Sequence, residues 1–96
     1  MNITINAVKF KIDEKLQEFI NEKVSKLDRQ SSSLLGAEVT LRVDKPETDK
    51  NKIVDIRLVI KGNDLYASKQ ADTFEEAVML TIDALKTQIS RNKEKK

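Results

Sequence analysis

The chain has no cysteine, no histidine and no tryptophan, a single proline and two glycines. Without cysteine there is no disulfide framework, no thiolate nucleophile and no cysteine metal site. Without histidine as well, the usual general base at neutral pH and the commonest zinc ligands are gone. Aromatic side chains are few: Phe10, Phe19, Tyr66 and Phe74. No apolar run approaches the roughly 18 to 20 residues needed to span a bilayer. The start, Met1-Asn2-Ile3-Thr4-Ile5, alternates at once, with no charged region leading into an apolar stretch. No secretory signal is therefore expected, and the cytoplasm is the expected compartment.

What is present is a charged, moderately apolar chain of 96 residues, 35% charged and 39% hydrophobic. That length supplies a core of roughly 30 side chains, so one domain over residues 1–96 is expected. Ile3 and Ile5 alternate with Asn2, Thr4 and Asn6, which predicts a half-buried strand. Phe10 and Ile12 lead into a helix that Asp13 is placed to cap, with Glu14 in the favourable first turn. Leu16, Phe19, Ile20, Val24 and Leu27 form one apolar stripe, so the helix is expected to run to about Leu27 or Arg29. Ser31-Ser32-Ser33 and Gly36 read as its exit loop. Val39, Leu41 and Val43 predict a second strand, and residues 44–51, which hold the only proline, a loose hairpin connection. Val54, Ile56, Leu58 and Ile60 predict a third strand. Gly62-Asn63-Asp64 reads as a turn using positive backbone angles. Leu65, Ala67, Lys69 and Ala71 predict a weaker fourth strand. Thr73 with Glu76 makes a capping box, and Phe74, Val78, Ile82, Leu85 and Ile89 stripe a second helix. The expected fold is α+β: a two-layer β-α-β-β-β-α domain, two helices on one face of a four-stranded sheet. The first strand, joined through a helix, is expected to lie parallel to a neighbour.

Catalytic chemistry has little support. No glycine-rich phosphate loop, HExxH or GxSxG pattern occurs, and no carboxylate sits in an apolar context that would tune it. Asp44, Glu47 and Asp49 lack calcium-loop spacing and its glycine, and read as a solvated loop. No cofactor or metal is expected, and no enzyme. The net charge of +2 hides an uneven distribution. Asp72, Glu75, Glu76 and Asp83 crowd the start of the last helical segment, whereas Lys86, Arg91, Lys93, Lys95 and Lys96 crowd its end. Lys23, Lys26 and Arg29 end the first helix in the same way. Such cations suit helix C-termini. If the two helices lie side by side, they also form one positive surface able to bind phosphates with little sequence information. Three of the four aromatics fit core positions, so base stacking is not expected, and shape-dependent binding to folded RNA suits the inventory better. A membrane-surface role would need an apolar helix face that the core already claims.

Phe10-Lys11-Ile12-Asp13-Glu14-Lys15-Leu16-Gln17-Glu18-Phe19 running on to Lys23-Val24-Ser25-Lys26-Leu27, then Val39-Thr40-Leu41-Arg42-Val43-Asp44-Lys45, then Thr73-Phe74-Glu75-Glu76-Ala77-Val78 and Ile82-Asp83-Ala84-Leu85-Lys86-Thr87-Gln88-Ile89, closed by Arg91-Asn92-Lys93-Glu94-Lys95, form a recognisable series. In order, spacing and basic ending it resembles the short ribosome hibernation-promoting factors and the related ribosome-associated translation inhibitors. The resemblance implies a fold similar to double-stranded RNA-binding domains. It also implies binding to the small ribosomal subunit through ribosomal RNA, a blocked messenger and transfer RNA channel, and in some members paired, dormant ribosomes. On it, Lys23 and Lys26 match family basic positions on the first helix, and Lys86, Arg91, Lys93 and Lys95 on or just after the second. Arg29 and Lys69 join the candidates by chemistry alone. Met79 stands where many relatives carry an acid. Neither membrane nor DNA is expected as a partner, and the free chain is expected to be monomeric. The other functional classes open to these residues are a protein-interaction module using an exposed strand edge and a general binder of structured RNA.

Overall fold

Capping decides where the first helix begins. The backbone N–H of Leu16 donates to Asp13 Oδ1 at 2.7 Å, satisfying one of the open donors of the first turn. In the computed structural model, which describes residues 2–30, 34–45 and 50–94 and side chains as far as residue 91, helix α1 spans Glu14–Ser25. It tightens into a 3₁₀ turn over Lys26–Arg29. Strand β1 (Asn2–Ala7) precedes it. Strands β2 (Leu34–Val43), β3 (Lys52–Ile60) and β4 (Leu65–Ala71) follow. Helix α2 closes the described chain over Phe74–Glu94, and at its start the N–H of Glu76 donates to Thr73 Oγ1 at 3.1 Å.

The sheet order is β1-β2-β3-β4. β1 runs parallel to β2, and the other neighbours are antiparallel. That is the arrangement a helical crossover between the first two strands demands. Both helices contribute to a single core. Ile20, Val24 and Leu27 from the first helical segment meet Val39, Leu41, Val54, Ile56, Leu58, Val78, Ile82 and Leu85, all essentially inaccessible. Thr81 is buried among them. Its hydroxyl donates to the Ala77 carbonyl at 2.7 Å, and no buried side-chain polar atom among the described residues lacks a partner.

Two sequence expectations need correcting. Gly36 is not in a loop: β2 begins at Leu34, and the register shifts between Leu34 and Gly36. Glycine eases the fit there, because a Cβ would stand 3.0 Å from the Asn2 carbonyl oxygen, a tight approach to the backbone of β1. Val43 ends β2 as expected and is exposed. In the turn after β3 only Gly62 has a positive φ, 93°; Asn63 does not, and its N–H bonds the Ile60 carbonyl at 3.1 Å. The serines at 31–33 and residues 46–49 of the hairpin connection lie outside the described residues.

Candidate nucleic-acid interface

The parallel pairing of β1 with β2 carries α1 back along the sheet, from the end of β1 to the start of β2. α2 leaves the end of β4, which lies beside the start of β3 and the end of β2, and so travels the same way. The two helices therefore point in one direction. Two contacts mark their ends. At the start, Phe10 before α1 stacks on Phe74 of α2, ring centroids 5.2 Å apart and planes 14° apart. At the finish, Gln30, just past the 3₁₀ turn, lines an open depression with Lys86, Thr87, Ser90 and Arg91.

This alignment sorts charge. Asp13 and Glu14 stand with Glu75 and Glu76 at the starting end, where the helix dipoles favour anions. Lys23, Lys26 and Arg29 lead to the finishing end on one helix, and Lys86 and Arg91 on the other. Lys26, Arg29 and Arg91 are exposed; Lys23 and Lys86 are partly covered. The Lys23 ammonium sits 5.6 Å from the centre of the Phe19 ring, a contact that steadies the side chain while leaving its charge in place. One acid, Asp28, intervenes in the 3₁₀ turn. None of these five cations forms an ion pair among the described residues.

The last buried residue of α2 is Ile89. The Gln88 side-chain amide donates to the Tyr66 carbonyl at 2.9 Å, fixing that turn over the start of β4. The helix runs on to Glu94, with Lys93 on its final described turn. Lys95 lies outside the described residues. Lys69 is not part of the cluster. It pairs in register with Val54 on the edge strand β4, three residues beyond Tyr66. That is about 10 Å further along the strand, toward the first half of α2. The polar side chains Gln30, Thr87 and Ser90 escaped the sequence reading. They carry no charge signal, and only the helix alignment brings Gln30 to α2.

The cations of the opposite, helix-free face are committed differently. Arg42 pairs with Asp55 at 2.9 Å. Arg57 reaches both Glu38, at 3.6 Å, and Asp64. The Arg57 guanidinium is held above its ordinary range, first by its hydrogen bond to Asp64 and then by the charges of Asp64 and Glu38. Ser68 donates to Asp55. This face is a closed network of charges, whereas the helix ends are open. No helix of the described residues is long and apolar enough to cross a membrane.

Comparison with known proteins bears on the family and the fold. The chain is 30% identical over 95 residues to a ribosome hibernation promoting factor of Salmonella typhimurium, covering 99% of this chain and 96% of that one. It is also 30% identical to that of Escherichia coli K12, covering 99% and 94%. Among solved structures, a ribosomal subunit interface protein from Coxiella burnetii superposes with a TM-score of 0.88 at 23% identity, covering 99% of this chain and all of that one. The N-terminal domain of Thermus thermophilus Protein Y gives 0.82 at 22% identity, covering 95% and 98%. These two share the fold. Residues 3–96 match the family model described as Sigma 54 modulation protein / S30EA ribosomal protein, and the chain belongs to that family.

Proposed function

We propose that this protein is a ribosome hibernation factor. It binds the small ribosomal subunit through ribosomal RNA, occupies the messenger and transfer RNA channel, and inhibits translation by occupancy. The observation that carries the reading is the convergence of Lys23, Lys26 and Arg29 with Lys86 and Arg91 at one end of two parallel helices, with no carboxylate partner among the described residues. Lys93 and Lys95 add two further cations in the sequence just after Arg91. Cations without protein partners are available to phosphates, and releasing the counterions condensed on RNA drives association. The relatives named as hibernation promoting factors support the ribosome as the RNA in question. Occupancy needs no turnover, so the protein acts without catalysis, in the cytoplasm where its target resides.

Cosedimentation with purified small subunits across a salt series tests this. Binding is expected to be tight at low salt and to fall steeply as salt rises. A flat salt response overturns the phosphate-led mechanism. Equal affinity for an arbitrary RNA duplex replaces the ribosome by structured RNA in general.

A further inference from the structure

The depression at the finishing end of the helices mixes two kinds of side chain. Lys86 and Arg91 are cations, whereas Gln30, Thr87 and Ser90 are neutral and polar. Residues four apart on a helix are surface neighbours, so Lys86 stands beside Ser90 and Thr87 beside Arg91. Each cation therefore has a hydroxyl next to it. A cation recognises a phosphate whatever sugar carries it. The hydroxyls are not needed for that, and their hydrogen bonding limits what they can recognise instead.

Thr87 is the informative one. It is exposed, and its hydroxyl donates to the Asp83 carbonyl at 3.2 Å, one turn back along the helix. A threonine hydroxyl has one hydrogen and two lone pairs. With the hydrogen engaged, Thr87 Oγ1 meets a ligand as an acceptor only. Phosphate oxygens are acceptors as well, so they gain no bond from it. Along a nucleic-acid backbone the one hydrogen-bond donor is the ribose 2′-hydroxyl, which RNA has and DNA lacks. Ser90 is exposed too and has no hydrogen-bond partner among the described residues. Its hydroxyl is open to donate as well as accept.

We propose that this depression reads the sugar of the bound strand: Thr87 Oγ1 accepts a hydrogen bond from a ribose 2′-hydroxyl, while Lys86 and Arg91 hold neighbouring phosphates. In RNA each ribose hydroxyl lies between two phosphates of the chain, so hydroxyl and charge alternate along the ligand as they do in the depression. The inference rests on the RNA reading given above and narrows it. The cations set how strongly the surface binds, and Thr87 sets that the strand is RNA. Such selection needs no base contact, in keeping with recognition of folded RNA by shape and sugar.

Two duplexes of one sequence test the proposal, one of RNA and one with every 2′-hydroxyl replaced by fluorine. The fluorinated duplex keeps the A-form shape and the phosphates and has no hydroxyl donor. In fluorescence-anisotropy titrations at low salt, the wild type is expected to bind the RNA roughly threefold to tenfold more tightly, the worth of about one hydrogen bond. Thr87→Val and Thr87→Ala lack the oxygen and are expected to abolish that preference by weakening RNA binding alone, with the salt slope unchanged. Thr87→Ser keeps the oxygen and is expected to retain the preference. Lys86→Met is expected to weaken both duplexes alike and to reduce the salt slope. Equal wild-type affinity for the two duplexes overturns the proposal and leaves the phosphate-led reading standing. So does a Thr87→Val or Thr87→Ala protein that keeps the wild-type preference, or one that weakens on both duplexes alike with its melting curve unchanged. Binding to neither duplex at low salt overturns both the proposal and the phosphate-led reading.

Discussion

Arginines and lysines occur on both faces of this molecule and behave in opposite ways. On the helix-free face of the sheet, Arg42 and Arg57 are matched to Asp55, Glu38 and Asp64. At the finishing end of the helix layer, Lys23, Lys26, Arg29, Lys86 and Arg91 have no such match among the described residues. The difference comes from neighbours. On the sheet, Glu38 stands directly opposite Arg57 and Asp55 diagonally across from Arg42, both within reach of a cross-strand pair, so these strand cations meet carboxylates of the neighbouring strand. The end of a helix faces carbonyls and solvent. Cations there are tolerated because the dipole favours them, and they stay open to an external anion. Whether a cation serves the fold or a partner is therefore decided by which element carries it.

The sharpest way to break this comparison is charge reversal at the helix ends. Lys86→Glu, Arg91→Glu and Lys93→Glu together are expected to weaken small-subunit binding by at least about a hundredfold at low salt and to flatten its salt dependence. The thermal midpoint is expected to change little. Cosedimentation and a melting curve on the same sample check both halves. Next in size is a contrast between adjacent residues. Leu85→Ala, beside Lys86 but fully buried, is expected to cost about 2–5 kcal/mol of stability with the affinity of the folded protein unchanged, measured by denaturant unfolding and binding below the midpoint. Asp13→Ala removes the cap at the acidic end of α1 and is expected to cost about 1 kcal/mol, again without altering RNA affinity. An effect of similar size belongs to the paired face. Arg42→Met removes the partner of Asp55 in an ion pair whose arginine is exposed and whose aspartate is mostly covered but keeps its bond from Ser68, and is expected to cost about 1 kcal/mol and to leave ribosome binding intact. A loss of binding on that change would erase the distinction between the two faces.

The elements were legible in the sequence because their signals are local. The stripe from Leu16 to Leu27, the alternation from Val54 to Ile60, and the caps at Asp13 and Thr73 each need only near neighbours along the chain. Gly36 misled for the same reason. Its role is a close approach to Asn2, a residue far away in sequence, and a local reading sees only a glycine after three serines. The candidate site was legible in its charges but not in its assembly. Lys23, Lys26, Lys86 and Arg91 were singled out from composition and family likeness, yet Gln30, Thr87 and Ser90 carried no signal. Lys69, a plausible cation on chemistry alone, sits away from the cluster because β4 places it beside the other half of α2.

Taken alone, the sequence determined which segments become strands and helices, where the helices start, and that basic residues end both of them. These follow from periodicity, capping and charge, all of which act over a few residues. The tertiary structure decided that the two helices run the same way. The parallel β1–β2 pair and the β3–β4 meander together impose that direction, and with it two basic ends become one surface rather than two remote ones.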